Sequence, residues 1–133
     1  MRTSFSIVVV LALTTACSRA TSAPAEIVPG QSIQLADGQS AQVSNTTVVV
    51  QFLGANDSRC PSDVVCVTAG DAAIALSFTG AGTQRSDTLY LVRTPRSANY
   101  GSYRFEAVDL LPYPTSRGQT APRRFTVRVA TTP

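Results

Sequence analysis

Few residues in this chain can do chemistry, and their types narrow what it can do. None of its 133 residues is histidine, and all eleven basic residues are arginine. Without imidazole there is no His general base, no Ser-His or Cys-His dyad and no His-ligated metal. Without lysine there is no Schiff-base amine and no P-loop lysine. Three cysteines, eight carboxylates and the arginines remain.

Asp57, Asp63 and Asp71 surround the pair Cys60 and Cys66. Hard oxygen ligands of this kind suit Ca²⁺. Their spacing is not that of an EF-hand, however, and aspartate at strand ends commonly makes Asx-turns. The expectation is therefore no metal and no cofactor. Glu106 and Asp109 are the best pair for acid–base work. Three residues apart on a regular strand they face opposite sides, unless a bulge near Ala107 brings them together. With no other catalytic group, the sequence predicts no enzyme.

Arg59 can read a carboxylate or phosphate in bidentate fashion. The expectation is a structural use, paired with Asp57, Asp63 or Asp71 or bound to loop carbonyls. Arg104, Arg124 and Arg128 share a face if the last two strands pair. That face is either a weak reader of anions or simply solvated. Tyr100, Tyr103 and Tyr113 flank the long loops 94–102 and 112–122, as a recognition rim or as the edge of a core. The net charge of +3 is mild. No basic stripe with interleaved aromatics appears, so a nucleic-acid partner is not expected.

The cysteines divide the chain. Arg2 precedes an apolar run over 7–13, too short to span a bilayer, which needs about 20 residues. This is the pattern of a cleaved signal peptide, here 1–16. The segment Leu13-Thr14-Thr15-Ala16-Cys17 looks like a bacterial lipobox, in which the cysteine is lipidated and becomes the new N-terminus. It departs from that pattern at Thr14, where leucine is usual. The alternative is an ordinary secretory signal cut after Ser18-Arg19-Ala20. Acyl chains on Cys17 would tie the chain to a membrane. Resemblance to known lipoproteins implies the outer membrane, facing the periplasm, because Ser18 rather than aspartate follows the cysteine.

With Cys17 so used, Cys60 and Cys66 form an even pair, expected as a disulfide in an oxidising compartment. Closing so short a loop contributes about 2.4 kcal/mol. Arg59, Pro61, Ser62, Asp63, Val64 and Val65 then make a candidate interaction loop. A rigid loop binds at low ordering cost and can fit a protease cleft. The plainer reading is a bridge that pins the connection between two strands.

The elements that must position these residues read as strands. Residues 17–30 are the lipidated cysteine and a tether, whose stretch 18–29, rich in small residues and with two prolines, would reach about 35–40 Å if extended. A single domain follows over 31–133. Ile33 and Leu35 lead into Asp37-Gly38, a hairpin signal, with Ala41 and Val43 returning. Residues 47–53 are a second apolar run. Ala72, Ile74, Leu76 and Phe78 alternate with smaller residues, Gly80-Ala81-Gly82 turns the chain, and 88–93 runs back. Tyr103, Phe105 and Ala107 alternate, as do Phe125, Val127 and Val129. The pattern predicts an all-β fold: an antiparallel β-sandwich or small open barrel of about seven strands.

The stretch Asp57-Ser58-Arg59-Cys60-Pro61, the second cysteine Cys66, and Ala69-Gly70 before a strand resemble a family of small uncharacterised exported bacterial lipoproteins. The segment 35–41 resembles that family's first hairpin, and Leu111-Pro112-Tyr113-Pro114 its late proline-rich turn. Many members carry tryptophan where this chain has Thr68. The resemblance implies fold and location but no activity. Together with the missing catalytic groups, it leads to the expectation of a non-enzymatic envelope lipoprotein, a binding or structural module. Its partner would be the membrane through the lipid and an envelope protein through loops. The alternative is a protease-inhibitor-like module acting through the Cys60–Cys66 loop.

Overall fold

The structure, a computed structural model, describes residues 23–133. The leader 1–16, Cys17 and the first part of the tether lie outside the described residues. The described chain forms an open two-layer β-sandwich of nine strands with no helix among the described residues. They are β1 (Ala25–Ile27), β2 (Ser32–Ala36), β3 (Ser40–Val43), β4 (Val49–Asp57), β5 (Ala72–Thr79), β6 (Arg85–Tyr90), β7 (Ser97–Tyr100), β8 (Tyr103–Leu111) and β9 (Arg124–Thr131). One sheet has the order β1-β3-β4-β5-β6, the other β2-β9-β8-β7.

The period-two patterns are what build it. Ile74, Leu76 and Phe78 of β5 point inward with Ala72, and Phe105, Phe125, Val127 and Val129 answer from the other sheet. Successive strand side chains alternate faces, so each apolar set lines one side. The rings interlock between layers: Phe52 with Phe125 at 5.2 Å, and Phe78 with Phe105 at 4.9 Å between centroids.

Two strands go beyond the expected seven. β1 lies within the residues read as tether. It pairs in parallel with β3, Ala25 to Ile27 against Ala41 to Val43, and Ile27 is buried in the core. The folded domain therefore begins before Gln31. Three residues with a single buried apolar position carry too little periodicity to be read as a strand; the β3 edge decides it. β7 falls inside the loop read over 94–102 and forms a tight hairpin with β8 through Gly101-Ser102.

Asp37-Gly38 turns the chain but makes no hairpin. β2 pairs with β9 and β3 pairs with β4, so the turn is a corner from one sheet to the other. Leu35 and Ala41 are both buried, and each serves its own layer's inner face. The freed turn groups bond to β4 instead: Gly38 N–H donates to the Phe52 carbonyl at 2.7 Å. The strand read over 88–93 runs from Arg85 to Tyr90, set by its register against β5 from Ala73 to Phe78.

Candidate functional site

The candidate loop, its cysteines and the three aspartates around it gather at one end of the sandwich, at the end of β4 and in the β4–β5 connection, against the β6–β7 and β8–β9 connections. At its base lies Arg59. Its guanidinium grips Asp57 in a bidentate pair, Nε to Oδ1 at 2.8 Å and Nη2 to Oδ2 at 2.7 Å. Nη2 also donates to the Leu110 carbonyl at 2.9 Å, and the Tyr113 ring covers the group 4.4 Å away. The two side chains are only 6% and 7% exposed. Burial works against the Asp57 charge, but the Arg59 hydrogen bonds and charge overcome it, so its pKa falls below the ordinary carboxylate value. The hydrogen bond to Asp57 raises that of Arg59. Of the three acids expected as partners, Asp57 is the one chosen, because β4 places it two residues before Arg59 on the inward side.

Cys60 and Cys66 are joined in a disulfide, with Cα atoms 5.9 Å apart. The loop they close is tied down on one flank only. Ser62 N–H donates to the Pro114 carbonyl at 3.0 Å. Asp63 accepts from Ser116 twice, from N–H at 2.8 Å and from the hydroxyl at 2.5 Å. Those bonds hold the Asp63 pKa below its usual value. Pro61 is half-buried, and everything from Ser62 to Ala69 is exposed. Val65 and Val67 are fully exposed, and Val64 nearly half so. The loop is neither flat against a sheet nor free: it is a stapled projection with an apolar tip.

Asp71 is spent on architecture. Its carboxylate caps the β6–β7 connection, accepting from Leu91, Val92 and Arg93 N–H at 3.2, 3.0 and 3.0 Å, and from its neighbour Ala72 at 2.7 Å. Burial opposes its charge, and these backbone donors more than offset that, so its pKa is lowered. Asp57, Asp63 and Asp71 thus face three different partners. Among the described residues no group of three or more acids or cysteines converges as a metal site.

Each residue of Asp-Ser-Arg-Cys-Pro has a folding contact. Ser58 hydroxyl donates to the Asp71 carbonyl at 2.8 Å, and Cys60 N–H donates to the Ala69 carbonyl at 2.7 Å. Gly70 adopts φ +68°, and a β-carbon there would overlap the Ser58 carbonyl. The motif is the lock between the two legs of the long β4–β5 connection. Thr68 is exposed beside the valines.

The remaining candidates disperse. A bulge between Ala107 and Asp109 puts Glu106 opposite Arg128 and Asp109 opposite Thr126, on the outer face of the four-stranded sheet. Asp109 accepts from its neighbour's Leu110 N–H at 2.8 Å, and Glu106 lies 4.0 Å from Arg128. The pair faces open solvent. Because β8 and β9 pair, Arg104, Arg124 and Arg128 do share that face, all exposed. Tyr100 is core, stacked 5.5 Å from Phe78, with its hydroxyl donating to the Thr83 carbonyl. Tyr103 is half-buried at the core edge, and only Tyr113 of the three stands at the loop end.

Sequence reasoning passed over Val67, Val92 and Leu111, which are exposed at the same end. Their signal was an apolar residue outside any alternating run. A scan against protein-family models, a search of curated proteins and a search of solved structures each find no match.

Proposed function

We propose that this chain is a non-enzymatic, lipid-anchored module of the bacterial cell envelope that binds through the loop end of its sandwich. The observation that carries the reading is the stapled loop. A disulfide and three hydrogen bonds to the β8–β9 connection hold the loop, while Val65 and Val67 stand fully exposed. Ordering such a loop is already done before binding, which lowers the cost of association. The carboxylates singled out for chemistry are paired with Arg59, tied to Ser116 or to backbone N–H groups, or spread on an open face. Anchoring rests on the apolar leader and Ala16-Cys17.

The test is fractionation of Cys17→Ser beside the parent chain, with mass spectrometry of the mature N-terminus. The expected result is an acylated parent in membranes and a released variant. A parent without acyl groups, or a variant that still sediments with membranes, refutes the anchor.

The exposed Ser62–Val65 stretch also favours a second reading, a protease-inhibitor-like loop. Cleavage inside a disulfide-closed loop leaves both new ends tethered, which keeps religation an intramolecular event. An inhibitor of this kind slows a serine protease with a small aliphatic pocket in proportion to its concentration. A chain merely degraded by such proteases is not one.

A further inference from the structure

We infer that the reactive bond of the inhibitor-like loop is Val67–Thr68, presented to a serine protease whose primary pocket takes a small aliphatic side chain. This deepens the inhibitor-like reading of the loop and rests on it; the lipid anchor is independent of both.

Clamps flank that bond on either side, and both are on Cys60. Its sulfur holds Cys66 in the disulfide, and its N–H donates to the Ala69 carbonyl at 2.7 Å. Ser58 extends the second clamp, its N–H and its hydroxyl each donating to the Asp71 carbonyl at 2.8 Å. Gly70 lies between these bonds at φ +68°, where a β-carbon would meet the Ser58 carbonyl, so the leg 69–71 is closed against 58–60. Val67 and Thr68 are the arch left between the clamps, and both are exposed.

A protease reads its substrate as an extended strand, through main-chain N–H and C=O groups, and takes the side chain before the cut into a pocket. Among the described residues the N–H and C=O groups of Val65 and Val67 make no hydrogen bond, so they are free for such pairing. The Val67 side chain is fully exposed. The other valines of the loop fit less well. Val64 is only about half exposed, and its N–H is turned back onto the Pro61 carbonyl at 3.3 Å. Val65 is fully exposed, but its anchor on the N-terminal side is Asp63, two residues away and tied to Ser116 on another connection. At Val67 the neighbouring residue Cys66 is itself the anchor, and the far side of the cut is held by the same Cys60.

Those clamps change the outcome of the attack. The protease's serine oxygen adds to the Val67 carbonyl carbon. As the bond to Thr68 breaks, the proton of the serine hydroxyl passes through the protease's histidine to the Thr68 nitrogen, and Val67 is left as an ester. In an ordinary substrate the new amine diffuses away and water takes its place. Here the Ala69 and Asp71 bonds keep the Thr68 amine beside the ester, at the high effective concentration of an intramolecular partner. Attack by that amine re-forms the peptide bond and releases the serine, so the protease stays occupied instead of turning over.

Val67→Arg in the mature protein tests this, because trypsin takes arginine where elastase takes small side chains. The side chain it replaces is fully exposed, and an unchanged urea midpoint verifies the fold. The parent should slow elastase in proportion to its concentration. V67R should lose roughly 100-fold against elastase and gain an inhibition of trypsin that the parent lacks. Val65→Arg should keep the inhibition of elastase. Mass spectrometry of the parent with elastase should show the intact chain and one form opened between Val67 and Thr68, and that form, purified and returned to elastase, should regain the intact mass. Elastase inhibition that survives V67R, a transfer to trypsin by V65R instead, or a cut within 62–66 overturns the Val67–Thr68 assignment and leaves the inhibitor-like reading standing. If the parent does not slow elastase and V67R does not slow trypsin, whether or not the chain is cut, both are overturned.

Discussion

Replacing Arg59 by methionine keeps much of the side-chain volume and removes the charge. The Asp57 carboxylate would then sit 7% exposed, with only the Arg59 N–H at 3.2 Å and Gln119 at 3.4 Å as donors. The Leu110 carbonyl would lose its buried partner. Breaking a buried ion pair from one side costs about 3–5 kcal/mol. A separate limit agrees with this. Asp57 can escape by taking up a proton, and protonating a carboxylate of pKa about 3.9 at pH 7 costs about 4 kcal/mol. The charge penalty cannot exceed that escape route. The expected loss for R59M is therefore about 4 kcal/mol at pH 7. At a urea m-value of roughly 1.5 kcal/mol per molar this moves the midpoint down by about 2.5 M. Two signatures separate this cause from lost packing. The deficit should shrink as pH falls towards 4, because protonation becomes cheap. The double variant D57N/R59M should recover about half of it, because the stranded charge is gone. Urea unfolding followed by circular dichroism, with the slope checked for constancy, reads all three. A midpoint within 0.5 M of the parent (about 0.75 kcal/mol at that slope), or a double variant no better than R59M, refutes the reasoning.

Other perturbations test neighbouring parts of the same end. Cys60→Ser with Cys66→Ser should lower stability by about 2.4 kcal/mol under oxidising conditions, and reductant should shift the parent by a similar amount; an unmoved midpoint argues against the bridge. Gly70→Ala forces a β-carbon onto the Ser58 carbonyl and should cost roughly 2 kcal/mol or more, whereas Gly38→Ala, at φ +78° in open space, should cost only about 1. Equal losses would remove the steric argument. Asp57 and Asp71 both have folded pKa values below the ordinary one. The stability they lend is thus present above about pH 4 and drains away as pH falls further. A midpoint that stays level from pH 5 to pH 2 contradicts this, and Asp71→Asn should flatten the acid limb.

Local chemistry determined much of this protein without help from the fold. Alternation of Ile74, Leu76 and Phe78, and of Phe125, Val127 and Val129, reports a strand's inner face whatever it packs against, because period two is a property of the extended chain. The missing histidine and lysine bound the chemistry outright. An even pair of cysteines six residues apart was legible as a bridge. Tertiary structure decided the rest. Whether Asp37-Gly38 closes a hairpin or turns a corner depends on which strands β2 and β3 find: β3 takes the next strand, β4, but β2's partner, β9, lies at the other end of the chain. Ala25–Ile27 is a strand only because the β3 edge offers it hydrogen bonds. Arg59 had three acids within reach along the sequence; its choice of Asp57, with the distant Leu110 carbonyl and Tyr113 ring, follows from a lining that β4 and β8 build together. The crowding of exposed valines and arginines at one end is a product of strand direction and sheet order, and side chains scattered from 64 to 124 carry no trace of it until the sandwich closes.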